Sequence, residues 1–134
     1  MKVCPDTNCW LQGALERNAP ARGHKVFVAT IVLQELWAGA ETAAERAYVE
    51  RVYVLARTQR RLLNPPTGAW ILSGQALQIL ARQGRFSTAR LRALRNDVLL
   101  AATALVHGAA VMTKDRVDFA RIAEVLPVRV VGPS

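Results

Sequence analysis

Residues 96–119, which read NDVLLAATALVHGAAVMTKDRVDF, constrain the fold more than any other part of the chain. Residues 97–107 are almost all apolar or helix-tolerant, which predicts a helix that is buried on most sides. Gly108 then favours a left-handed end to that helix. Residues 109–113 form a short apolar run that ends in a polar residue, as a buried parallel strand does. The segment therefore predicts a helix, a tight turn, a strand and an acidic loop.

The only formally charged side chain between Arg95 and Lys114 is Asp97, at the start of this helix. The helix covers about 16 Å at ~1.5 Å per residue, and the strand returns a similar distance at ~3.3 Å per residue. Asp97 and Asp115 are thus expected at the same edge of the fold, where open α/β sheets bind ligands. The alternative is that Asp97 only caps its helix and interacts favourably with the helix dipole.

Short apolar runs alternate with helical patterns along the chain, which predicts an α/β fold with a mainly parallel sheet, in one domain spanning residues 1–134. Thr42 and Glu45 form a capping-box pattern, and Thr67 is the expected cap of a later helix. We expect the three tryptophans to lie in the core. The predicted strands cover residues 2–5, 25–29, 62–63, 109–113 and 128–131. The predicted helices cover residues 10–17, 31–40, 42–60, 67–82, 97–107 and 116–125, with a loop at 18–24 and a basic connector at 85–95.

The composition is that of an ordinary soluble globular protein, since 51% of the residues are hydrophobic and 21% are charged. The beginning of the chain carries no apolar run of the kind found in signal peptides. The apolar uncharged run at residues 98–113 is shorter than a membrane span. Cys4 and Cys9 are too few for a disulfide framework, and we expect reduced thiols in a cytoplasmic protein that does not associate with a membrane.

The net charge of +8 and the isoelectric point near 10.7 favour a polyanionic partner. Residues 51–96 contain nine arginines and no Asp or Glu. A nucleic acid is the preferred partner because arginine makes bidentate contacts with phosphate, although an acidic partner protein could cover the same face. The arginines expected to contact RNA or such a partner are Arg82, Arg85, Arg90, Arg92 and Arg95.

Further carboxylates are expected at the edge where Asp97 lies. Asp6 follows the first predicted strand, Glu35 lies in the helix after the second, and Asp115 follows the strand at 109–113, with Asp118 three residues on. Carboxylates so close together repel one another unless a cation neutralises them, and oxygen ligands without a His or Cys set favour magnesium or manganese over zinc. Two such ions could clamp a phosphodiester and activate water.

Simpler explanations remain open for each residue of this group. Asp6 could merely cap the first helix, Glu35 could lie on the surface, and one of Asp115 and Asp118 could be only a helix cap. The neighbouring polar residues are either turn formers or groups that orient the carboxylates or water. They are Thr7, Asn8 and Thr113. The sequence has no convincing Ser-His-Asp arrangement and no glycine-rich phosphate loop, which argues against nucleotide triphosphate hydrolysis.

Four motifs in order resemble the PIN-domain signature, and within it the VapC-type toxins of bacterial type II toxin–antitoxin systems. They are DTN at 6–8, ELWAG at 35–39, NDVLLAATA at 96–104 and TKDRVDF at 113–119. The resemblance spans essentially the whole chain and implies a three-layer α/β/α sandwich. The chain departs from the family at residues 2–5, where KVCP replaces a longer aliphatic run, and at 62–66, which match the usual third strand only loosely.

The resemblance also implies a function. It implies a Mg²⁺- or Mn²⁺-dependent endoribonuclease that hydrolyses RNA with metal-activated water, forms a homodimer and is inhibited by a VapB-like antitoxin. By motif, the catalytic carboxylates are Asp6, Glu35, Asp97 and a fourth acid, for which Asp115 is preferred over Asp118 because it directly follows the strand. Asp6, Asp97 and Asp115 would bind the metal, with Thr113 as the supporting hydroxyl residue. The alternative is a catalytically inactive PIN module that binds RNA or a partner protein.

Overall fold

A computed structural model of the chain describes residues 1–11 and 23–133. Most of the predicted helix at 10–17 and of the predicted loop at 18–24 lies outside the described residues. The helix that was expected from residue 10 already begins at Thr7. No helix in the described part of the chain combines the length and apolar character needed to cross a bilayer.

The structure confirms the predicted α/β fold with a parallel sheet. The strands are β1 (Lys2–Pro5), β2 (Lys25–Val26), β3 (Val28–Ala29), β4 (Leu62–Leu63), β5 (Ala110–Met112) and β6 (Val130–Val131). Four of them form a sheet in the order β2-β1-β5-β6, and β3 pairs separately with β4. All these pairings are parallel. The predicted strand at 25–29 is thus divided, because its first half pairs with β1 and its second half with β4.

The helices connect the strands as the alternating pattern predicts. They are α1 (Thr7–Leu11), α2 (Thr30–Gly39), α3 (Ala43–Thr58), α4 (Thr67–Gln83), α5 (Thr88–Ala93), α6 (Arg95–Val106) and α7 (Arg116–Ala123). Thr42 caps α3 with the reciprocal Glu45 bond, which confirms the capping box. Gly84 and Gly108 adopt left-handed backbone conformations, with φ of 69° at both, and so end α4 and α6 as expected.

Helix α6 forms the centre of the core. Its residues from Val98 to Ala104 are all buried, and it packs against α4, α2 and β5. Small residues at 101, 102 and 104 let the neighbouring elements approach closely, while Leu94 and Val98 fill space at its start with at most 1% of their surface exposed. Burial of a leucine or valine side chain stabilises the fold by roughly 1.5–3 kcal/mol. The central helix therefore holds Asp97 firmly at its first turn.

The sheet brings the carboxyl ends of β1 and β5 side by side. Pro5 is opposite Met112 in the register, and the backbone N–H of Asp6 donates to the Met112 carbonyl at 2.9 Å. The proline is the last residue of its strand, so it does not interrupt the connection to Asp6. Thr113 follows β5 in the same way, and its N–H donates to the Val131 carbonyl at 3.0 Å. Both polar residues therefore leave the sheet at the same edge.

Several local predictions were wrong for identifiable reasons. The basic connector at 85–95 contains α5, because Ser87 caps it by accepting the N–H of Arg90. Thr67 lies inside α4 and does not cap it, since Pro66 occupies the cap position. Trp10 is buried as expected, but two other tryptophans predicted to be in the core, Trp37 and Trp70, are 41% and 58% exposed. Hydrophobicity alone therefore did not place these two side chains correctly.

Candidate active site

Asp6 is a buried carboxylate with hydrogen bonds to both of its oxygens. It is 6% exposed. Its Oδ1 accepts the backbone N–H of Cys9 at 3.1 Å, and its Oδ2 accepts the hydroxyl of Thr113 at 2.5 Å. The first bond caps α1, so Asp6 is a helix cap, as the simpler explanation proposed. The second bond reaches β5 from the other end of the chain, which a local cap does not require.

Thr113 connects Asp6 to the acidic loop. Its hydroxyl donates to Asp6 and at the same time accepts the backbone N–H of Asp115 at 2.9 Å. The residue is fully buried, with 0% of its surface exposed. Both functions of the hydroxyl are therefore used, and they fix the carboxylate of Asp6 relative to the backbone that carries Asp115.

Glu35 projects from α2 towards α1, where its Oε1 accepts the hydroxyl of Thr7 at 2.8 Å. The side chain is half-buried, so the alternative of a freely solvated surface glutamate does not describe it. Thr7 thus orients one carboxylate as Thr113 orients another. Asn8, predicted to have a similar role, is exposed in α1 between Thr7 and Cys9.

Asp97 lies in the first turn of α6 and does not cap it. The cap position is Leu94, and no side chain makes the capping hydrogen bond. Burial is the largest of several causes that raise the pKa of Asp97 to about 7, followed by the charges of three other carboxylates, Glu35, Asp6 and Asp115. Arg90 opposes the increase. Four carboxylates from distant parts of the sequence therefore act on one another at this edge.

Asp115 and Asp118 have different surroundings. Asp115 is exposed and caps α7, because its Oδ1 accepts the N–H of Asp118 at 3.3 Å. Asp118 is 8% exposed, and its carboxylate forms an ion pair with the guanidinium of Arg90. Only Asp115 of these two is among the carboxylates that raise the pKa of Asp97. The geometry thus separates an acid that faces Asp97 from one that already has a cationic partner.

The donors in this cluster are hard carboxylate oxygens, with hydroxyls behind two of them. Burial and the charges of the neighbouring carboxylates raise the pKa of Asp97 to about 7, and a divalent cation would favour its charged form. These donors fit magnesium or manganese by chemical type. Among residues 1–11 and 23–133, no three acidic, histidine or cysteine side chains are already arranged at ligand distance. Binding a cation would therefore require the carboxylates to move closer together.

The arginines predicted to contact RNA divide into two groups. Arg85 forms an ion pair at 2.8 Å with Glu124, at the C-cap of α7, and Arg90 forms one with Asp118 of α7. The others are exposed, on α4, α5 and α6. They are Arg82, Arg92 and Arg95. The pairing of Arg90 with Asp118 was not predicted from the sequence. The available signal is Ser87 before a run of helix formers, because this pattern predicts a capped helix that contains Arg90.

Comparison with protein families gives a match to the PIN domain over residues 3–125. A search of curated protein sequences found no match.

Three solved structures resemble the fold along nearly their whole length. VapBC2 from Rickettsia felis, bound to a DNA fragment from the promoter, aligns with a TM-score of 0.70 and 17% identity over 98% of both chains. DNA-bound VapBC from Salmonella typhimurium gives 0.69 and 23%, over 100% of this chain and 99% of the other. VapBC-1 from nontypeable Haemophilus influenzae gives 0.71 and 20%, over 99% and 98%. These similarities establish a shared PIN-like fold.

Proposed function

This chain belongs to the PIN-domain family, whose members are generally nucleases, and from that premise we propose that it is a metal-dependent endoribonuclease and the toxin of a type II toxin–antitoxin pair. The observation that carries the proposal is the convergence of Asp6 and Asp115 on the buried hydroxyl of Thr113, which donates to Asp6 and accepts the N–H of Asp115. Glu35 and Asp97 belong to the same cluster, because the charges of Glu35, Asp6 and Asp115 add to the effect of burial on the pKa of Asp97. A structural role alone gives no reason to gather four carboxylates. PIN nucleases typically use divalent metals, which agrees with this set of donors.

In the proposed reaction, Asp6, Asp97 and Asp115 would hold Mg²⁺ or Mn²⁺, and the ion would supply positive charge at the scissile phosphate and lower the pKa of water. Thr113 keeps Asp6 in place through its 2.5 Å hydrogen bond. Glu35, oriented by Thr7, is the carboxylate left to accept a proton from the attacking water. The exposed arginines bind the RNA backbone and so give affinity more than sequence choice.

The test is cleavage of single-stranded RNA oligonucleotides by the purified protein with Mg²⁺ or Mn²⁺. We expect cleavage that EDTA abolishes and that falls at least about 100-fold in Asp97→Asn, because removal of a group that acts in the transition state costs on the order of 3 kcal/mol. Val117→Ala, on an exposed residue of α7, is the control for surface substitution. Cleavage by Asp97→Asn at the wild-type rate would disprove the site assignment. Tight RNA binding without any cleavage would instead identify an inactive RNA-binding module.

The proposed partner is an antitoxin related to VapB. The similar solved structures are of VapBC and related complexes, and one of them is described as a member of a family of toxin–antitoxin systems. The excess of positive charge, +8 over the chain, suits an acidic segment of such a protein as well as it suits RNA. An RNA substrate and buried, reduced cysteines are both consistent with a cytoplasmic protein.

We also propose a homodimer formed through the exposed face of α4. This face carries Trp70 and Ile71, which are 58% and 56% exposed, and the helix has no charged residue before Arg82. Two copies that each carry a charge of +8 repel one another, so an uncharged apolar face is where they can approach.

Light scattering after size-exclusion chromatography tests the dimer. We expect the wild type to elute as a dimer and Ile71→Glu as a monomer, because the glutamate would be buried without a partner at the interface. Leu55→Glu, at a residue of α3 that is 58% exposed, is the matched control and should remain dimeric. A monomeric wild type at micromolar concentration would contradict the proposal.

A further inference from the structure

Arg90 and Asp118 form an ion pair whose two members differ in exposure. The side chain of Asp118 is 11% exposed to solvent, whereas the side chain of Arg90 is 48% exposed. A buried carboxylate needs a partner, and the guanidinium satisfies it with charge-assisted hydrogen bonds. About half of the arginine surface nevertheless remains available to a second anion.

The backbone of Arg90 is fixed as well as its side chain. Its N–H donates to the Ser87 hydroxyl at 3.1 Å, which is the capping bond of α5. Arg85, earlier in the same segment, donates to Glu124, at the C-cap of α7, at 2.8 Å. The segment therefore contacts α7 or its C-cap through Arg85, before Ser87, and through Arg90, after Ser87. These contacts limit the positions that the guanidinium of Arg90 can take.

This ion pair adjoins the acidic cluster. The N–H of Asp118 donates to Asp115, which is one of the four carboxylates, and the charge of Arg90 acts directly on Asp97. A phosphodiester that approaches four carboxylates is repelled by them, and a guanidinium at their rim offsets that repulsion while offering two parallel donors to phosphate.

We propose that Asp118 is a positioning residue, which holds Arg90 at the rim of the acidic cluster, and that Arg90 binds a backbone phosphate of the RNA there. This inference rests on the proposed nuclease function. It assigns to Asp118 a role that acts through Arg90 and not through the metal. It also distinguishes Arg90 from Arg82, Arg92 and Arg95, which attract RNA without a fixed orientation.

The experiment is a double-mutant cycle with Asp118→Asn, Arg90→Gln and the two combined. RNA affinity is measured by fluorescence anisotropy of a labelled single-stranded RNA oligonucleotide, with Ca²⁺ in place of the catalytic ion, and Mn²⁺ affinity is measured by calorimetry without RNA. We expect each single change to weaken RNA binding by about 3- to 10-fold, as loss of one charge-assisted contact does. The double variant should be no weaker than Arg90→Gln, because residues that act as a unit are not additive.

Mn²⁺ affinity separates positioning from metal binding. We expect Asp118→Asn to bind Mn²⁺ within about twofold of the wild type, because the Asp118 carboxylate pairs with Arg90, whereas loss of a side chain that supports a metal ligand typically costs 10-fold or more. A Mn²⁺ affinity lowered about 10-fold or more would overturn the inference, and so would additive losses in RNA binding. Arg90→Lys should recover only part of the affinity, because lysine keeps the charge without the planar pair of donors.

Arg92→Gln is the matched control, because it removes the same charge from the same helix. Arg92 is exposed in α5, and its loss should reduce the salt dependence of RNA binding without coupling to Asp118→Asn. Equal coupling for Arg92 and Arg90 would contradict a special position for Arg90. If the wild type binds RNA with the predicted coupling but never cleaves it, the proposed function fails while the positioning role stands. A wild type that binds no RNA overturns both.

Discussion

Asp6 and Asp97 lie at the same edge of the sheet, yet the protein stabilises them in different ways. Asp6 is almost fully buried and receives two hydrogen bonds, from Cys9 and Thr113. Asp97 is less buried, and burial together with the charges of other carboxylates raises its pKa to about 7. Hydrogen-bond donors compensate a carboxylate for lost solvent, whereas like charges favour its protonated form unless a cation is present.

The comparison predicts that removing the donor to Asp6 has the largest effect on stability. Thr113→Val should lower the free energy of unfolding by about 2–4 kcal/mol at pH 8, because a buried carboxylate oxygen loses its partner and the N–H of Asp115 loses its acceptor. Chemical denaturation followed by circular dichroism measures the change. Thr113→Ser keeps the hydroxyl and should lose much less. Equal losses in the two variants would mean that the methyl group matters, not the hydrogen bonds.

Asp97→Asn should increase the free energy of unfolding of the metal-free protein, whereas Thr113→Val should decrease it. The pKa of Asp97 is raised from 3.8 to about 7, so the folded state holds its proton where the unfolded chain has lost it. Stability from this group is therefore present below about pH 4 and is lost as pH rises to 7, by on the order of 2–4 kcal/mol. In EDTA at pH 8, Asp97→Asn should be more stable than the wild type by about 1–3 kcal/mol, with little difference at pH 4.

Thermal unfolding in EDTA across this pH range tests the sign directly. Adding Mn²⁺ at pH 8 should stabilise the wild type and should stabilise Asp97→Asn much less, because the ion binds the folded carboxylates. A wild type that gains stability from pH 4 to pH 7 relative to Asp97→Asn would show that Asp97 is better solvated than its surroundings indicate.

The smallest expected effect concerns the two thiols beside Asp6. Burial raises the pKa of both Cys4 and Cys9 to about 12, and for Cys9 the charge of Asp6 adds to the increase. Neither thiol should react with a disulfide reagent at pH 8 in the native protein, because the thiolate is the reactive form. Both should react in guanidinium. Rapid modification of Cys9 in the native state would mean that the cap formed by Asp6 opens readily.

Much of this arrangement was predictable from the sequence because it depends on periodicity and strand ends. The apolar run at 97–113 fixed the central helix and strand, and parallel topology then placed Asp6, Thr113 and Asp115 at one edge. The exposed position of Trp70 was not predictable, because hydrophobicity alone does not distinguish a core from an interface.

Pairings between side chains were also beyond the sequence. The contact between Arg90 and Asp118 joins residues 28 positions apart and depends on how α5 packs on α7. The choice between Asp115 and Asp118 as the fourth acid likewise depends on which of them pairs with an arginine. The spacing of residues in the sequence does not predict that pairing. The expectation that one of the two caps a helix did hold, and the cap is Asp115.

The hydrogen bond between Asp6 and Thr113 spans 107 positions, so the two ends of the chain must meet before it forms. During synthesis, Asp6 leaves the ribosome long before β5 is available to pair with β1. The acidic cluster therefore cannot assemble on a nascent chain until β5 has left the ribosome and paired with β1. The nuclease proposed above would stay inactive on the ribosome up to that point.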